Sequence, residues 1–160
     1  MTLRPVDAAD AELLFRIFAS TREQQLALAG LPSGQIEALL RMQFLAQDQQ
    51  YRATHPGAED SVIVVDGHPA GRLWVARDGD GIRLLDIALL PEHRGRGIGT
   101  ALIRRLQDEA AAAGLPLRLH VARTNPATSL YLRLGFHPDG GDDVYQAMAW
   151  SGVTVAGAAG

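Results

Sequence analysis

Three glycines stand at alternate positions in Gly95-Arg96-Gly97-Ile98-Gly99, between the apolar run Leu84–Leu90 and a helical pattern that begins at Ile98. A strand must therefore feed a glycine-rich turn that opens a helix, and this one junction commits the chain to an α/β fold. Without Cβ atoms the turn lets an anion approach the backbone. The first N–H groups of the helix lack internal partners and sit at the positive end of its dipole. Arg94 and Arg96 add fixed charge beside the turn, and Arg104 and Arg105 lie further along the helix. The segment reads as a phosphate cradle.

Two common nucleotide motifs fail on their residues. A P-loop needs Gly-Lys followed by Ser or Thr; Gly99 precedes Thr100, and the chain has no lysine. The dinucleotide fingerprint needs a third glycine where Thr100 stands, and it belongs early in a βαβ unit rather than past mid-chain.

A chain of 160 residues is expected to form one domain, spanning residues 1–150, that buries roughly two-thirds of its unfolded surface. Its net charge of −3 favours neither nucleic acid nor an anionic membrane. No apolar stretch is long enough to span a bilayer, and Met1-Thr2-Leu3-Arg4-Pro5 lacks a signal-peptide layout, so a cytoplasmic location is expected. There is no cysteine, which excludes disulfides, thiolate metal sites and a cysteine-bound intermediate; no metal is expected.

Leu3-Arg4 reads as a first strand, and Asp7 as the cap of a helix whose apolar face carries Leu13, Leu14, Ile17 and Phe18. The stretch Gly30–Gly34 breaks this helix, and a second follows with Ile36, Leu40, Phe44 and Tyr51 on one side. Val62–Val65, Arg72–Val75 and Ile82–Leu90, separated by Asp66-Gly67 and Asp78–Gly81, form an antiparallel meander. The helix after the cradle presents Ile98, Leu102, Leu106, Ala110 and Ala113 and ends at Gly114. Leu117–Ala122 is a strand, Pro126–Leu134 a short helix, and Val144–Trp150 a last strand after the turn Asp139–Asp142. Residues 151–160 are expected to fray.

The pattern Arg94-x-x-Gly97-x-Gly99, preceded by Leu-Pro and followed by Thr-Ala-Leu-Ile, resembles the acyl-CoA loop of the GNAT acyltransferase superfamily. A second block, Asn125-Pro126-Ala127-x-x-Leu130-Tyr131-x-x-Leu134-Gly135-Phe136, resembles that family's second cofactor-side motif. The likeness covers the chain from about Ser61 to Trp150 and is loose over the N-terminal third. It implies a mixed, mostly antiparallel sheet of about six to seven strands with about four helices. One parallel strand pair would splay to hold the cofactor. It also implies acetyl-CoA as cosubstrate and a small-molecule or protein amine as acceptor, and it is compatible with a homodimer. The pantetheine arm would pair with backbone at Ile87, Ala88 and Leu89, and the phosphates with Arg94, Gly95, Arg96, Gly97, Ile98, Gly99 and Thr100.

Single residues carry two readings each. Tyr131 lies on an apolar helical stripe and reads either as a core aromatic or, by its motif position, as the acid that protonates the leaving thiolate. Asp86 shares a strand face with Leu84 and Ala88; it is either a buried base for an ammonium substrate or the partner of Arg72 in a salt bridge. Asn125 before Pro126 is a helix cap that the resemblance also puts on the cofactor side. Arg22 and Glu23 fall in the segment that lines the acceptor in the resembled fold, or else form a solvated helix end. His120 reads as a hydrogen-bonded strand histidine or a base, and His93 as a surface residue. The activity expected is direct transfer of acetyl from acetyl-CoA to an amine. The alternatives are a CoA-binding module without chemistry and a structural partner protein that binds no CoA.

Overall fold

The computed structural model describes residues 1–152, apart from the side chains of Gln24 and Gln25; most of the expected frayed tail lies outside the described residues. Packing divides the chain into two compact units. Unit 1 comprises Met1–Trp74 and Asp86–Ile98; unit 2 comprises Val75–Leu85 and the chain from Gly99 onward. The seven strands follow the order β1-β2-β3-β4-β5-β7-β6.

In unit 1, β1 (Thr2–Pro5) runs antiparallel to β2 (Glu59–Val65), from Thr2↔Val64 to Pro5↔Ser61. Asp7 then stops the strand, because its carboxylate accepts from the Ala9 N–H at 2.8 Å while Asp10 accepts from the Asp7 N–H at 2.9 Å. This reciprocal cap closes a 3-10 turn at Ala8–Asp10, which leads into α1 (Ala11–Leu28). The bidentate Arg4–Asp10 pair, at 2.8 and 2.9 Å, ties the turn back to β1.

Helix α2 (Ser33–Thr54) starts directly after Pro32, so the chain break expected at Gly30–Gly34 is shorter by its last two residues. Phe15 and Phe18 of α1 meet Ile36 and Leu40 of α2, and Phe44 sets its edge against both phenylalanine rings at 5.7 and 5.5 Å. Asp66 and Gly67 both have positive φ, 52° and 77°, as a two-residue hairpin between β2 and β3 (His68–Asp78) requires.

Beneath α2 lies a charged cluster. Arg72 of β3 is only 2% exposed. Its guanidinium holds Asp60 of β2 at 2.8 and 2.7 Å, reaches Asp48 of α2 at 3.3 Å and lies 4.1 Å over the Trp74 ring. Arg52 bridges the same two carboxylates at 2.9 and 3.2 Å.

Unit 2 begins with the end of β3 and the first part of β4 (Gly81–Leu89). Strand β4 pairs in parallel with β5 (Leu117–Ala122) from Ile82↔Leu117 to Leu84↔Leu119. β5 runs antiparallel to β7 (Tyr145–Trp150), which pairs in turn with β6 (His137–Gly141). Leu117, Leu119 and Val121 are buried with Leu102, Ile103, Leu106 and Ala110 of α3 (Ile98–Ala113). Ala113, expected on the inner stripe, is exposed as the last residue of the helix. Gln107 instead sits in the core, donating to the Leu134 carbonyl at 2.8 Å just past α4 (Ala127–Arg133).

Strand β6 is a correction to the sequence reading, which had a turn at Asp139–Asp142. His137-Pro138-Asp139-Gly140-Gly141 has almost no strand propensity, and pairing with β7 imposes the extended form. The turn itself closes later, where the Asp142 carboxylate accepts from the N–H groups of Val144 and Tyr145 at 2.8 and 2.7 Å.

Removing Asp60 leaves the buried Arg72 charge without its bidentate partner. Asp60→Ala is expected to destabilise the protein by about 3–5 kcal/mol, read from the midpoint of a urea melt; a loss below about 1 kcal/mol would show that Asp48 alone suffices. Asp10 is held at about 2 by the hydrogen bonds from Arg4 and from the Asp7 backbone. Its contribution is thus present above the ordinary carboxylate range and lost as pH falls towards 2. Asp10→Asn should flatten the dependence of stability on pH in that window.

Candidate active site

The cradle is local in sequence. The Leu90 N–H donates to Ala70 at 2.8 Å, and Pro91 then opens a 3-10 turn closed by the N–H groups of His93 and Arg94 on Leu90 and Pro91, at 2.9 and 3.2 Å. Gly95 (φ 75°) and Gly97 (φ 79°) take left-handed backbone, which side chains resist, and α3 starts at the next residue. Gly99 is different: its backbone is helical and a Cβ there would meet nothing within 4 Å. Neither conformation nor internal packing asks for glycine at that point. What its absent side chain permits is approach from outside. The first turn of α3 carries no acidic residue, so its exposed N–H groups keep their positive potential. These features fit a diphosphate.

The two cradle arginines divide. Arg96 is exposed and has no hydrogen-bond partner among the described residues. Arg94 is exposed but engaged: Nε donates to the Leu89 carbonyl at 2.9 Å, and Nη2 to the carbonyl and hydroxyl oxygens of Ser20 at 3.3 and 3.2 Å. His93 is not the surface residue expected. It is half-buried, and its Nδ1 is buried without a hydrogen-bond partner.

Asp86, Ile87, Ala88 and Leu89 form the outgoing end of β4, each half-buried. Burial pushes the Asp86 carboxyl above the usual carboxylate range; the charges of Arg72 and Arg22 oppose the rise, Asp60 adds to it, and the Ile87 N–H opposes it. The salt bridge to Arg72 does not form, since that guanidinium is taken by Asp60 and Asp48. Opposite, on β3, Gly71 packs closely against this end of β4, a constraint that the sequence reading missed. A Cβ there would collide with the Ala88 carbonyl oxygen and stand 3.0 Å from the Leu89 side chain. A glycine inside a strand pattern was the available signal. On α1, Arg22 donates to the Thr21 hydroxyl at 3.0 Å and lies 3.8 Å over the Phe18 ring, and Glu23 is exposed.

Unit 2 holds the remaining candidates. Gly99 and Thr100 stand in the first turn of α3. Asn125 acts as a cap, accepting from the Ala127 N–H at 2.9 Å. Tyr131 is 6% exposed, with its ring edge-on to Phe136 at 5.6 Å. His120 is exposed, and its Nδ1 lies 3.2 Å from Arg83 Nη1. Arginine can only donate, so Nδ1 accepts and the ring proton sits on Nε2. Among the described residues, no cluster of His, Cys, Asp or Glu is arranged to hold a metal ion, and no helix is long and apolar enough to cross a membrane.

A family model described as "Acetyltransferase (GNAT) domain" matches residues 58–138, from β2 through the cradle and Tyr131 into β6. The chain belongs to the GNAT family. A Bacillus subtilis relative assigned as a [ribosomal protein bS18]-alanine N-acetyltransferase is 36% identical over 91 residues, covering 54% of this chain and 58% of the relative. Streptothricin acetyltransferase of Streptomyces lavendulae is 40% identical over 95 residues, covering 56% and 50%. The match thus spans about half the length of each of these relatives. The structure of PaiA N-acetyltransferase from Thermoplasma acidophilum in complex with coenzyme A shares the fold, with a TM-score of 0.70, 20% identity and coverage of 94% of this chain and 98% of that one. The GNAT sheet, mostly antiparallel with one parallel pair, is the fold class that the sequence implied.

In this GNAT chain the close approach of Gly71 to β4 gives a direct test. Gly71→Ala is expected to cost about 1–3 kcal/mol of stability by forcing the backbone of Ala88 aside. Gly79→Ala, where a Cβ meets open space, should lie within about 0.5 kcal/mol of wild type.

Proposed function

We propose that this protein transfers the acetyl group of acetyl-CoA to an amine by direct attack, with residues 1–150 acting as one catalytic domain. The observation that carries this reading is the cradle: two left-handed glycines, a third glycine that the fold itself does not require, and a helix start free of acidic side chains. Backbone N–H groups of Gly95–Thr100 and the unengaged Arg96 hold the diphosphate. The end of β4 at Ile87–Leu89, beyond its register with β5, pairs with the pantetheine amides, and Asn125 borders the cofactor.

Acetyl-CoA supplies an activated acyl group, so one C–N bond forms as one C–S bond breaks. The residues have three tasks. Asp86 removes a proton from the ammonium, which frees the nitrogen lone pair; its raised pKa makes it a stronger base than an ordinary carboxylate. The Leu89 N–H donates to the thioester oxygen as negative charge develops there. Tyr131 gives a proton to the departing sulfur. No cysteine exists to carry the acyl group, so acceptor and acetyl-CoA are bound together. Arg22 and Glu23 face the acceptor. The Bacillus subtilis relative is named for a protein α-amine and the Streptomyces lavendulae relative for a small molecule. Both support an amine.

The test is release of free thiol from acetyl-CoA against a panel of amines, with binding of CoA measured calorimetrically. Amine-stimulated release is the expected result. Binding without release by any amine would favour the non-catalytic module, and absence of binding would overturn the cradle. Gly97→Glu should abolish binding. Tyr131→Phe should leave binding intact and lower kcat by about 10²-fold; an unchanged kcat would remove Tyr131 from the mechanism. The base must be ionised to act, so kcat/KM should rise with pH through an inflection above the usual carboxylate range, and Asp86→Asn should abolish that limb.

A further inference from the structure

Arg94 has five N–H groups, and three are committed inside unit 1. Nε fixes the side chain to the end of β4 through the Leu89 carbonyl, and Nη2 bonds both oxygens of Ser20 in α1. Nη1 has no hydrogen-bond partner among the described residues. One guanidinium therefore spans the phosphate loop, the thioester end of β4 and the middle of α1.

The point it grips on α1 is a weak one. Ser20 and Thr21 turn their hydroxyls back onto the carbonyls of Ile17 and Phe18, at 2.7 and 2.8 Å, an arrangement that competes with regular helix hydrogen bonding. Immediately beyond come Arg22 and Glu23. Arg22 is also one of the two positive charges that act on Asp86, so the placement of this turn reaches the candidate base as well.

We infer that Arg94 is a positioning residue whose guanidinium couples cofactor binding at the loop to the placement of the acceptor-side half of α1. An anion in the cradle takes the open Nη1 prong. That fixes the planar guanidinium, and the two bonds to Ser20 then hold the helix from Arg22 to Leu28. In the free protein the exposed Arg94 competes with water for the same bonds, and this half of α1 opens more readily. Lysine cannot replace it, because an ammonium cannot engage Leu89, Ser20 and a phosphate in three fixed directions.

This inference rests on the acetyl-CoA reading, and hydrogen exchange with CoA itself as the probe separates the two. At saturating CoA, amides 22–28 of the wild type should exchange roughly tenfold more slowly than without CoA. Arg94→Lys, also at saturation, should lose most of that increment. Ser20→Ala gives an opposed check. Alanine is the better helix former, so a purely structural role for Ser20 predicts more protection. The coupling predicts a smaller CoA-dependent increment. Equal increments in wild type and Arg94→Lys would overturn the coupling, as would CoA binding with no change at 22–28. If CoA does not bind at all, the reading of the cradle fails and takes this inference with it.

Discussion

Unit 1 is organised by one buried cation. Arg72 could not lie almost wholly inside the protein unless its charge and its N–H groups were satisfied there, and Asp60 and Asp48 do so from a strand and a helix. The pairing fixes α2 against β2 and β3. It also decides the state of Asp86. Because the guanidinium is already committed, its charge reaches Asp86 at a distance and does not neutralise it through contact. The carboxyl is left with a pKa raised by burial but restrained by Arg72 and Arg22. The raised pKa of Asp86 is thus a by-product of how a neighbouring strand is anchored.

The cradle works by a different logic. What suits it to an anion lies in main-chain groups and in φ angles that glycine makes accessible, so a side-chain inventory understates it. The arginine most conspicuous in the motif, Arg94, has most of its hydrogen-bonding capacity directed into the protein. Those bonds tie the loop to the end of β4 and to α1.

What was legible in the sequence followed from strong local signals. Three glycines between a strand and a helix placed the cradle, Asp66-Gly67 gave the hairpin, and Leu117–Ala122 matched the strand residue for residue. The cap at Asn125 and the burial of Tyr131 were also readable, since both depend on neighbours close in the chain. Strand β6 was not, because its proline and glycines are extended only through a partner strand. Gly71 was missed for a related reason: the Ala88 carbonyl that excludes its side chain is distant in sequence. The choice between salt bridge and free carboxyl at Asp86 depended on Asp48 and Asp60, which no pattern around Asp86 reveals.

The make-up of β6 bears on self-association. It ends the sheet with five exposed residues, among them a proline and two glycines, and its register with β7 is interrupted between Pro138 and Gly141. Such a margin offers an incoming chain few regularly spaced main-chain donors and acceptors. Joining two sheets edge to edge would therefore fall to β1, the strand at the other margin, and not to β6.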